Sequence, residues 1–255
     1  MCEECGCATA SGPAHVHDHA GTHATRAPGA REIEILHGIL HENDHAAGHN
    51  REHFARHNVL AVNLMSSPGS GKTSLLEATI AALAGRYRIA VIEGDLETEN
   101  DAQRIRAHGV PAVQITTGQT CHLDAHMVHD ALHGLDLSEI DILFIENVGN
   151  LVCPAGFDLG QHANVTLLAV TEGDDKPAKY PVMFRAADLV LLSKSDLLDV
   201  LGDFAPEKAE RNLRHLANAA PVLQVSARRG ETLDPWIAWL EGRLSEIRTA
   251  RSAAE

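Results

Sequence analysis

The glycine-rich stretch SSPGSGKTS, residues 66–74, carries residue types suited to binding the phosphates of a nucleotide. Gly69 and Gly71 let the backbone curl so that its N–H groups point toward phosphate oxygens. The lysine and threonine near the end of the pattern are placed to reach the β/γ-phosphates and to bind Mg²⁺. Serine takes the first position, where glycine is usual, but the core PGSGKT is intact. We therefore predict a phosphate-binding loop that uses Gly69, Ser70, Gly71, Lys72, Thr73 and Ser74.

Two acidic motifs that follow later hydrophobic runs complete the phosphate end of this predicted site. Asp95 ends the run RIAVIEGD and is predicted to bind Mg²⁺ directly or through water. Glu146 opens the motif ENVG after ILFI, where P-loop GTPases commonly carry an Asp-x-x-Gly. Gly149 of that motif is predicted to contact the γ-phosphate through its amide. The predicted catalytic residues are Lys72, Asp95 and Glu146, and the predicted magnesium ligands are Thr73 and Asp95.

Two further motifs favour guanine over adenine as the base. The sequence SKSD, residues 193–196, resembles the guanine-reading motif Asn/Thr-Lys-x-Asp. Asp196 would accept hydrogen bonds from the guanine N1–H and N2–H₂, which adenine lacks, and Lys194 would pack along the base. Ser226 and Ala227 end the last hydrophobic run, as the second guanine loop of GTPases does. We predict GTP and GDP as ligands, with slow hydrolysis because no arginine finger or water-positioning glutamine is evident.

A second group of residues has the chemistry of a transition-metal site. Cys121 and His122 open a predicted helix, and Cys153 follows the ENVG motif by four residues. Two thiolates and an imidazole suit Zn²⁺ or Ni²⁺, although isolated cysteines are also common as small core residues. Cys153 lies on the chain that leaves the predicted γ-phosphate contact. We therefore expect a loop that moves on hydrolysis to move a metal ligand with it.

The chain begins MCEECGC, which contains three of its five cysteines, Cys2, Cys5 and Cys7. An odd cysteine count in a large protein of a reducing compartment argues against a disulfide framework. The segment has too few ligands and too little apolar support for a zinc finger, and it lacks the βαβ frame of a redox pair. We predict a flexible chelating tip that suits Ni²⁺, although ligand type alone does not separate nickel from zinc or copper.

Histidine is in excess, with 17 residues, ten of which fall at or before His57. Six of them recur at intervals of four, which places neighbouring pairs on one helix face. Each step overshoots a turn by about 40°, because a helix has ~3.6 residues per turn, so the six form no straight row. Metal buffering and a solvated polar face both remain open for this set: His37, His41, His45, His49, His53 and His57. His126, His129 and His133 follow His122 along a later predicted helix, where each is expected to face solvent unless it extends the metal site.

Length and charge bound the remaining possibilities. The chain has 255 residues, a formal charge of −14 and 44% hydrophobic residues, enough for one large domain with appendages. The charge argues against binding nucleic acid or an anionic membrane through bulk attraction. No apolar run approaches the roughly 20 residues that span a bilayer, and the N-terminus lacks a basic stretch followed by an apolar one. We expect a cytoplasmic protein without nucleic-acid or membrane partners.

The elements that must position these motifs alternate along the chain from Val59 onward. Hydrophobic runs with strand character alternate with amphipathic helical segments, which is typical of a mostly parallel sheet covered on both faces. Ligands of such sheets bind at the carboxyl ends of the strands, where the motifs above lie. The sequence predicts a disordered metal-binding tail over 1–31, a His-rich helical segment over 32–58 and a nucleotide-binding domain over 59–250.

Five motifs, together with the MCxxCGC-like start and the His-rich spacer, closely resemble the HypB family, the nickel-inserting GTPases of [NiFe]-hydrogenase maturation. They are SSPGSGKT, VIEGD, TGQTCHLDA, ENVGNLVCP and TEGDDKPAKYP. TGQTCHLDA and ENVGNLVCP are not general GTPase signatures. The resemblance implies the three-layer α/β/α fold of P-loop NTPases and GTP hydrolysis. It also implies a tight nickel site at Cys2, Cys5 and Cys7, and a weaker nickel or zinc site at Cys121, His122 and Cys153.

The same resemblance implies an assembly. Members of the family pair into GTP-dependent dimers and load nickel onto the hydrogenase large-subunit precursor with a partner nickel chaperone of the HypA type. Lys179 matches a lysine that reaches the nucleotide of the facing subunit. Leu197 and Leu201 match a hydrophobic dimer contact, and leucines there would form an exposed apolar patch in a monomer unless both belong to the core.

These observations predict a GTP-hydrolysing nickel metallochaperone whose nucleotide state is coupled to metal release. A nickel-storage protein, with the histidines as its working part, is one alternative. A urease-type nickel GTPase is another, because it shares the phosphate loop and a His-rich start. The cysteine-rich start and the pair TGQTCHLDA and ENVGNLVCP favour the hydrogenase type.

Overall fold

The computed structural model describes residues 30–97 and 99–252 of the chain. The predicted metal-binding tail therefore lies outside the described residues apart from its last two positions, and so do Cys2, Cys5 and Cys7. None of the helices in the described ranges combines the length and the apolar character that crossing a bilayer requires.

Seven parallel strands form one sheet in the order β3-β2-β4-β1-β5-β6-β7. The four central strands are nearly all buried, which explains why their sequences are continuous hydrophobic runs rather than alternating ones. The strands are β1 (Leu60–Ser66), β2 (Ile89–Asp95), β3 (Ala112–Thr116), β4 (Ile142–Glu146), β5 (Ala163–Ala169), β6 (Leu189–Ser193) and β7 (Val222–Gln224).

The described residues form eight α-helices, in addition to short 3-10 turns: α1 (Ala30–His57), α2 (Lys72–Leu83), α3 (Asn100–Arg106), α4 (Ala125–Leu132), α5 (Lys176–Lys179), α6 (Pro181–Arg185), α7 (Pro206–His215) and α8 (Asp234–Ser252). On one face α2 and α8 share a core in which the Trp236 indole donates to Thr79 Oγ1 at 2.9 Å. On the other face α1 and α4 pack over Ile92 and Leu143. The predicted three-layer fold with a mostly parallel sheet is confirmed, and the sheet is wholly parallel.

The His-bearing helix α1 is part of this packing rather than a separate segment. Asn43, Ala46, Ala47, Asn50 and Phe54 are buried on one of its faces, at spacings of three and four. The helix begins at Ala30, so it also includes the end of the predicted tail. Its sequence reads as polar because much of the buried face consists of alanine and of asparagines whose side chains bond to backbone atoms.

Candidate functional site

The phosphate-binding loop connects β1 to α2 and has the backbone shape that its glycines predict. Gly69 and Gly71 have φ angles of 75° and 93°, in the left-handed region that other residues disfavour. The Lys72 ammonium, at the start of α2, is buried and donates to Ser66 Oγ at 3.2 Å. The serine that replaces the usual first glycine thus holds the lysine that is predicted to bind phosphate.

Two glutamates lie side by side beneath this loop, because β2 and β4 pair in register at Glu93 and Glu146. Both side chains are buried. Glu146 Oε1 accepts from the Thr73 hydroxyl at 3.0 Å and lies 3.9 Å from Lys72 Nζ. Burial, and then the charge of Glu146, raise the pKa of Glu93 to about 11. Because burial also raises the pKa of Glu146, the pair retains a proton near neutral pH.

Asp101 of α3 joins these two glutamates. One carboxylate oxygen from each of the three residues lies within 4.8 Å of the others, and the Oε2 atoms of both glutamates are buried without a hydrogen-bond partner among the described residues. Such a set fits a hard divalent cation such as Mg²⁺. The predicted ligand Asp95 lines the same cavity and accepts from Leu96 N at 2.7 Å. Sequence reasoning missed Glu93 and Asp101, although the two-residue spacing from Asp95 puts Glu93 on the same strand face.

Glu172, just after β5, anchors the phosphate loop from the opposite side. Its carboxylate accepts from Ser70 Oγ at 2.6 Å, from the Ser67 hydroxyl and from Ala169 N at 3.2 Å. Lys176 Nζ lies 3.7 Å away and balances the charge. Glu172 has no role among the residues predicted from the sequence, although its position shortly after the end of β5 was an available signal.

The predicted guanine motifs meet beside the same loop. The Ser193 hydroxyl and the Lys194 ammonium each donate to a carbonyl oxygen of the phosphate loop at 2.7 Å. Asp196 Oδ1 accepts from Ser226 Oγ at 2.6 Å, and this bond lowers the pKa of Asp196. Asp196 is therefore held as a charged acceptor, the state that recognition of guanine N–H donors requires.

Two adjoining cavities connect these groups. One, of about 620 Å³, is lined by Lys194, Asp196, Ser226 and Ala227, and the other, of about 500 Å³, by the phosphate loop with Asp95, Glu146 and Gly149. A Cβ at Gly149 would lie 2.9 Å from Pro68 Cα, so only glycine lets the two loops approach this closely. The residues predicted to read the base and those predicted to bind the phosphates therefore line one continuous cleft at the carboxyl edge of the sheet.

The predicted second metal constellation also comes together. Ligand atoms of Cys121, His122 and Cys153 all lie within 4.8 Å of one another, with Cys121 Sγ 3.9 Å from His122 Nδ1. His122 is buried against Phe157 with ring centres 3.9 Å apart, and burial lowers its pKa, which favours the neutral form that binds metals. Cys121 and His122 lie in the loop before α4 rather than opening it, because Asp124 caps the helix by accepting from Met127 N at 2.8 Å.

One buried side chain joins the phosphate cleft to this cysteine–histidine cluster. Asn147, directly after Glu146, is 1% exposed, and its Oδ1 accepts from Leu123 N at 3.1 Å and from Val148 N at 3.0 Å. Its Nδ2 donates to Asn63 Oδ1 at 3.2 Å on β1. The loop that follows β4 is therefore bonded to the loop that carries Cys121 and His122.

The predicted dimer residues lie at the surface near α5 and β6. Lys179 is 62% exposed and bonds to Asp175 at 2.6 Å. Leu197 and Leu201 are half-buried and pack against a core cluster. They therefore leave only part of each side chain exposed, rather than the exposed apolar patch that the sequence predicts for a monomer. The exposed apolar residue of this turn is Val200, at 78%.

A family model and several curated proteins are similar in sequence to this chain. A family model described as "CobW/HypB/UreG, nucleotide-binding domain" matches residues 60–224. Hydrogenase maturation factor HypB of Azotobacter vinelandii is 54% identical over 235 residues, which are 91% of this chain and 77% of that protein. The protein of the same name from Escherichia coli K12 is 51% identical over 225 residues, 88% of this chain and 77% of its own length.

A solved structure shares both sequence and fold. The crystal structure of HypB from Helicobacter pylori in complex with nickel aligns with a TM-score of 0.77 and 41% identity, covering 80% of this chain and 96% of that one. A TM-score of 0.77 over 80% of this chain shows that the two proteins share the fold described above.

Proposed function

The chain belongs to the CobW/HypB/UreG family of nucleotide-binding domains, and from this premise we propose that it is a GTP-hydrolysing nickel metallochaperone. Its cargo is Ni²⁺, which is supported by a similar protein solved in complex with nickel. Its client is the large-subunit precursor of a [NiFe]-hydrogenase, in keeping with relatives that are named hydrogenase maturation factors. The observation that carries the proposal is the Asn147 bridge, which connects the γ-phosphate side of the cleft to a cluster of two cysteines and a histidine.

GTP occupies the cleft with its base against Asp196 and its phosphates over the loop of residues 66–74. Lys72 neutralises the β/γ-phosphates, and Gly149 contacts the γ-phosphate through its amide. Mg²⁺, when bound, neutralises charge on the phosphates, and the residues that hold it are Thr73 and Asp95, with the carboxylates of Glu93, Asp101 and Glu146 nearby. Hydrolysis is slow because no arginine finger or water-positioning glutamine is evident in the sequence.

The same groups explain how the nucleotide reaches the loop after β4. In the present structure Glu146 holds both Lys72 and Thr73. The phosphates compete for Lys72, and Mg²⁺ bound with them would take the Thr73 hydroxyl, so the arrival of GTP with Mg²⁺ removes both partners from Glu146. Glu146 then moves with Asn147, and the bond from Leu123 N to Asn147 transmits the motion to the metal-binding loop.

The cysteine–histidine cluster holds the cargo. Three protein ligands leave a fourth position of Ni²⁺ or Zn²⁺ open, and both cysteines are half-buried, so a second copy or a partner protein can reach the ion. We place the GTP-dependent dimer at this end of the sheet, with Lys179 near the nucleotide of the facing subunit and Leu197 and Leu201 in the contact. The further partners are a HypA-type nickel chaperone and the hydrogenase precursor.

In this function the chain has three parts: a tail over 1–31 with a tight nickel site at Cys2, Cys5 and Cys7, a His-rich helix over 32–58 and the GTPase domain over 59–250. The test is a titration of the full chain with Ni²⁺ in the presence of GDP and of a non-hydrolysable GTP analogue, repeated in a Cys121→Ser/Cys153→Ser variant. We expect at least a five-fold difference in nickel affinity between the two nucleotide states, and its loss in the variant. Equal affinities in the unmodified chain would refute the coupling.

A further inference from the structure

Histidines from two different helices face each other where α1 packs on α4. His49 and His53 lie one turn apart on α1, and His129 and His133 lie at the end of α4 with the same spacing. The ring centre of His129 is 5.5 Å from that of His53, 5.3 Å from that of His133 and 6.4 Å from that of His49. His129 is therefore the centre of a cluster of four histidines, and His45 lies at its edge with its ring centre 4.7 Å from that of His49.

The two helices are held at a fixed separation beneath these rings. The buried Asn50 donates to Ala125 O at 2.9 Å and to Leu159 O at 3.0 Å. Asn43 accepts from Ala125 N at 2.9 Å, and Phe54 is fully buried one turn after Asn50. The histidines thus project from a rigid platform, and their proximity does not depend on long flexible side chains.

Asn50 also orients the central ring. Its Oδ1 lies 3.0 Å from His129 Nδ1, so Nδ1–H donates to the amide oxygen and Nε2 is the nitrogen left to bind an ion. A hydrogen bond of this kind to the second ring nitrogen is the usual support of a metal-binding histidine. A histidine that only covers the helix surface has no need of a buried amide to fix its tautomer.

We propose that His49, His53, His129 and His133 form an interhelical site for a borderline divalent transition metal, Ni²⁺ or Zn²⁺. Metal–nitrogen distances of about 2 Å place the centres of two imidazoles on one ion roughly 5 Å apart. The rings of His53 and His133 are near that separation from His129, whereas the ring of His49, at 6.4 Å, must turn toward the ion. The outer rings, His49 and His133, are exposed and free to turn toward the ion. This site uses none of the ligands at Cys121, His122 and Cys153.

The electrostatics of the cluster agree with this use. Partial burial, followed by the positive neighbours Arg56, His129, His57 and His133, lowers the pKa of His53. The lowered pKa of His53 favours the neutral form of its imidazole, which is the form that binds a metal ion. An ion here would also link α1 to α4. Because α4 directly follows Cys121 and His122, the ion would lie on the helix next to the cysteine–histidine cluster.

The test compares variants of the full chain that each lose one histidine from each helix. All variants carry serine at the five cysteines to remove the thiolate sites. His53→Gln/His129→Gln removes the centre of the cluster, and the matched control His41→Gln/His126→Gln removes two exposed histidines outside it. A third variant, His49→Gln/His133→Gln, keeps the bond between His129 and Asn50. Circular dichroism and the apo melting temperature establish that each is folded.

The readout is ¹H–¹³C NMR of the histidine rings during Zn²⁺ titration, with nickel competition against a chromophoric chelator. We expect the first equivalent of Zn²⁺ to shift the four cluster rings, and affinity to fall at least about 10-fold in both cluster variants and not in the control. The proposal is overturned if the control and cluster variants bind alike, or if the first equivalent shifts other histidines. The titration contains no nucleotide, so its result is independent of the proposed GTPase coupling. Point variants are preferable to truncation at Val59, which would remove the buried Phe54.

Discussion

Replacing Asn147 with alanine should separate nucleotide binding from metal affinity. The substitution removes an amide that accepts from Leu123 N and Val148 N and donates to Asn63 Oδ1. The Asn147 side chain is buried, with 1% of the residue exposed. Each buried group left without its partner costs about 1–3 kcal/mol. Three groups lose a partner at once, which sums to about 3–9 kcal/mol. Single substitutions rarely cost more than about 5 kcal/mol, so the free energy of unfolding should fall by roughly 3–5 kcal/mol.

This loss is large but compatible with a folded protein, since domains are typically stable by about 5–15 kcal/mol. A domain of this size loses about 2–4 °C in melting temperature per kcal/mol, so the midpoint should fall by roughly 6–20 °C. Differential scanning calorimetry with GDP measures this change. Nickel affinity is then measured at low temperature with GDP and with the GTP analogue. We expect the ratio of the two affinities to fall below about three-fold, whereas coupling between sites typically gives 5–150-fold.

The matched control is Asn218→Ala. The Asn218 side chain makes four bonds: it donates to Phe184 O at 2.7 Å, Ala187 O at 2.9 Å and Arg185 O at 3.5 Å, and accepts from Ala220 N at 2.7 Å. It lies between α7 and β7 and contacts neither site. This variant should lose stability and keep the full affinity ratio. If Asn147→Ala keeps the ratio, or if Asn218→Ala loses it equally, the bridge is not the route of coupling.

Three further predictions follow from single contacts. Asp196→Asn should weaken GDP binding by at least 10²-fold without creating ATP binding, because two bonds to a charged acceptor are each worth about 1.5–3 kcal/mol. Calorimetric titration with both nucleotides measures this change, and an unchanged GDP affinity would contradict the prediction. Gly149→Ala should slow GTP hydrolysis at least 10-fold with GDP affinity nearly unchanged, because its Cβ meets the backbone of Pro68 at 2.9 Å and displaces the γ-phosphate loop; a phosphate-release assay decides, and a normal rate would refute the role of this approach. Burial lowers the pKa of His162 to about 4, and its Nδ1 accepts from Ala61 N at 3.1 Å, so it is neutral when folded. The unfolded chain binds the extra proton between about pH 6.5 and 4, so stability falls as the pH falls through this window, by up to about 3 kcal/mol. His162→Gln should remove this part of the pH dependence of the free energy of unfolding, which is measured by urea unfolding at a series of pH values. An identical pH dependence in both proteins would show that the ring does not titrate as described.

Much of the cleft was predictable because its residues lie at the ends of parallel strands. Once the hydrophobic runs are recognised as strands of one parallel sheet, their carboxyl ends must share an edge, and Lys72, Glu146 and Asp196 must meet there. The proximity of Cys121 to Cys153 follows from the same geometry, since each comes shortly after a strand of that sheet.

Residues whose role depends on side-chain packing were not predictable in this way. The docking of α1 uses buried asparagines that bond to backbone atoms, and a hydrophobic pattern does not identify such a face. The helices α5 and α6 have four and five residues and begin near prolines, too short for a periodic signal. The half-buried state of Leu197 and Leu201 likewise depends on how the turn after β6 folds back on the core.

The type of residue at position 147 bears on how sharply the proposed metal site would respond to the nucleotide. The Asn147–Leu123 bond is 3.1 Å long, and hydrogen bonds weaken steeply beyond about 3.5 Å, so a displacement of less than 1 Å decides whether it exists. Leu123 is fully buried, so its N–H has no water to replace the lost acceptor. Breaking the bond therefore costs about 1–3 kcal/mol, which corresponds to roughly 5–150-fold in affinity. The loss of a single buried hydrogen bond is thus large enough to distinguish a state that retains the metal from one that releases it. With a solvent-exposed side chain in its place, water would replace the lost acceptor, and the same motion would change the affinity less.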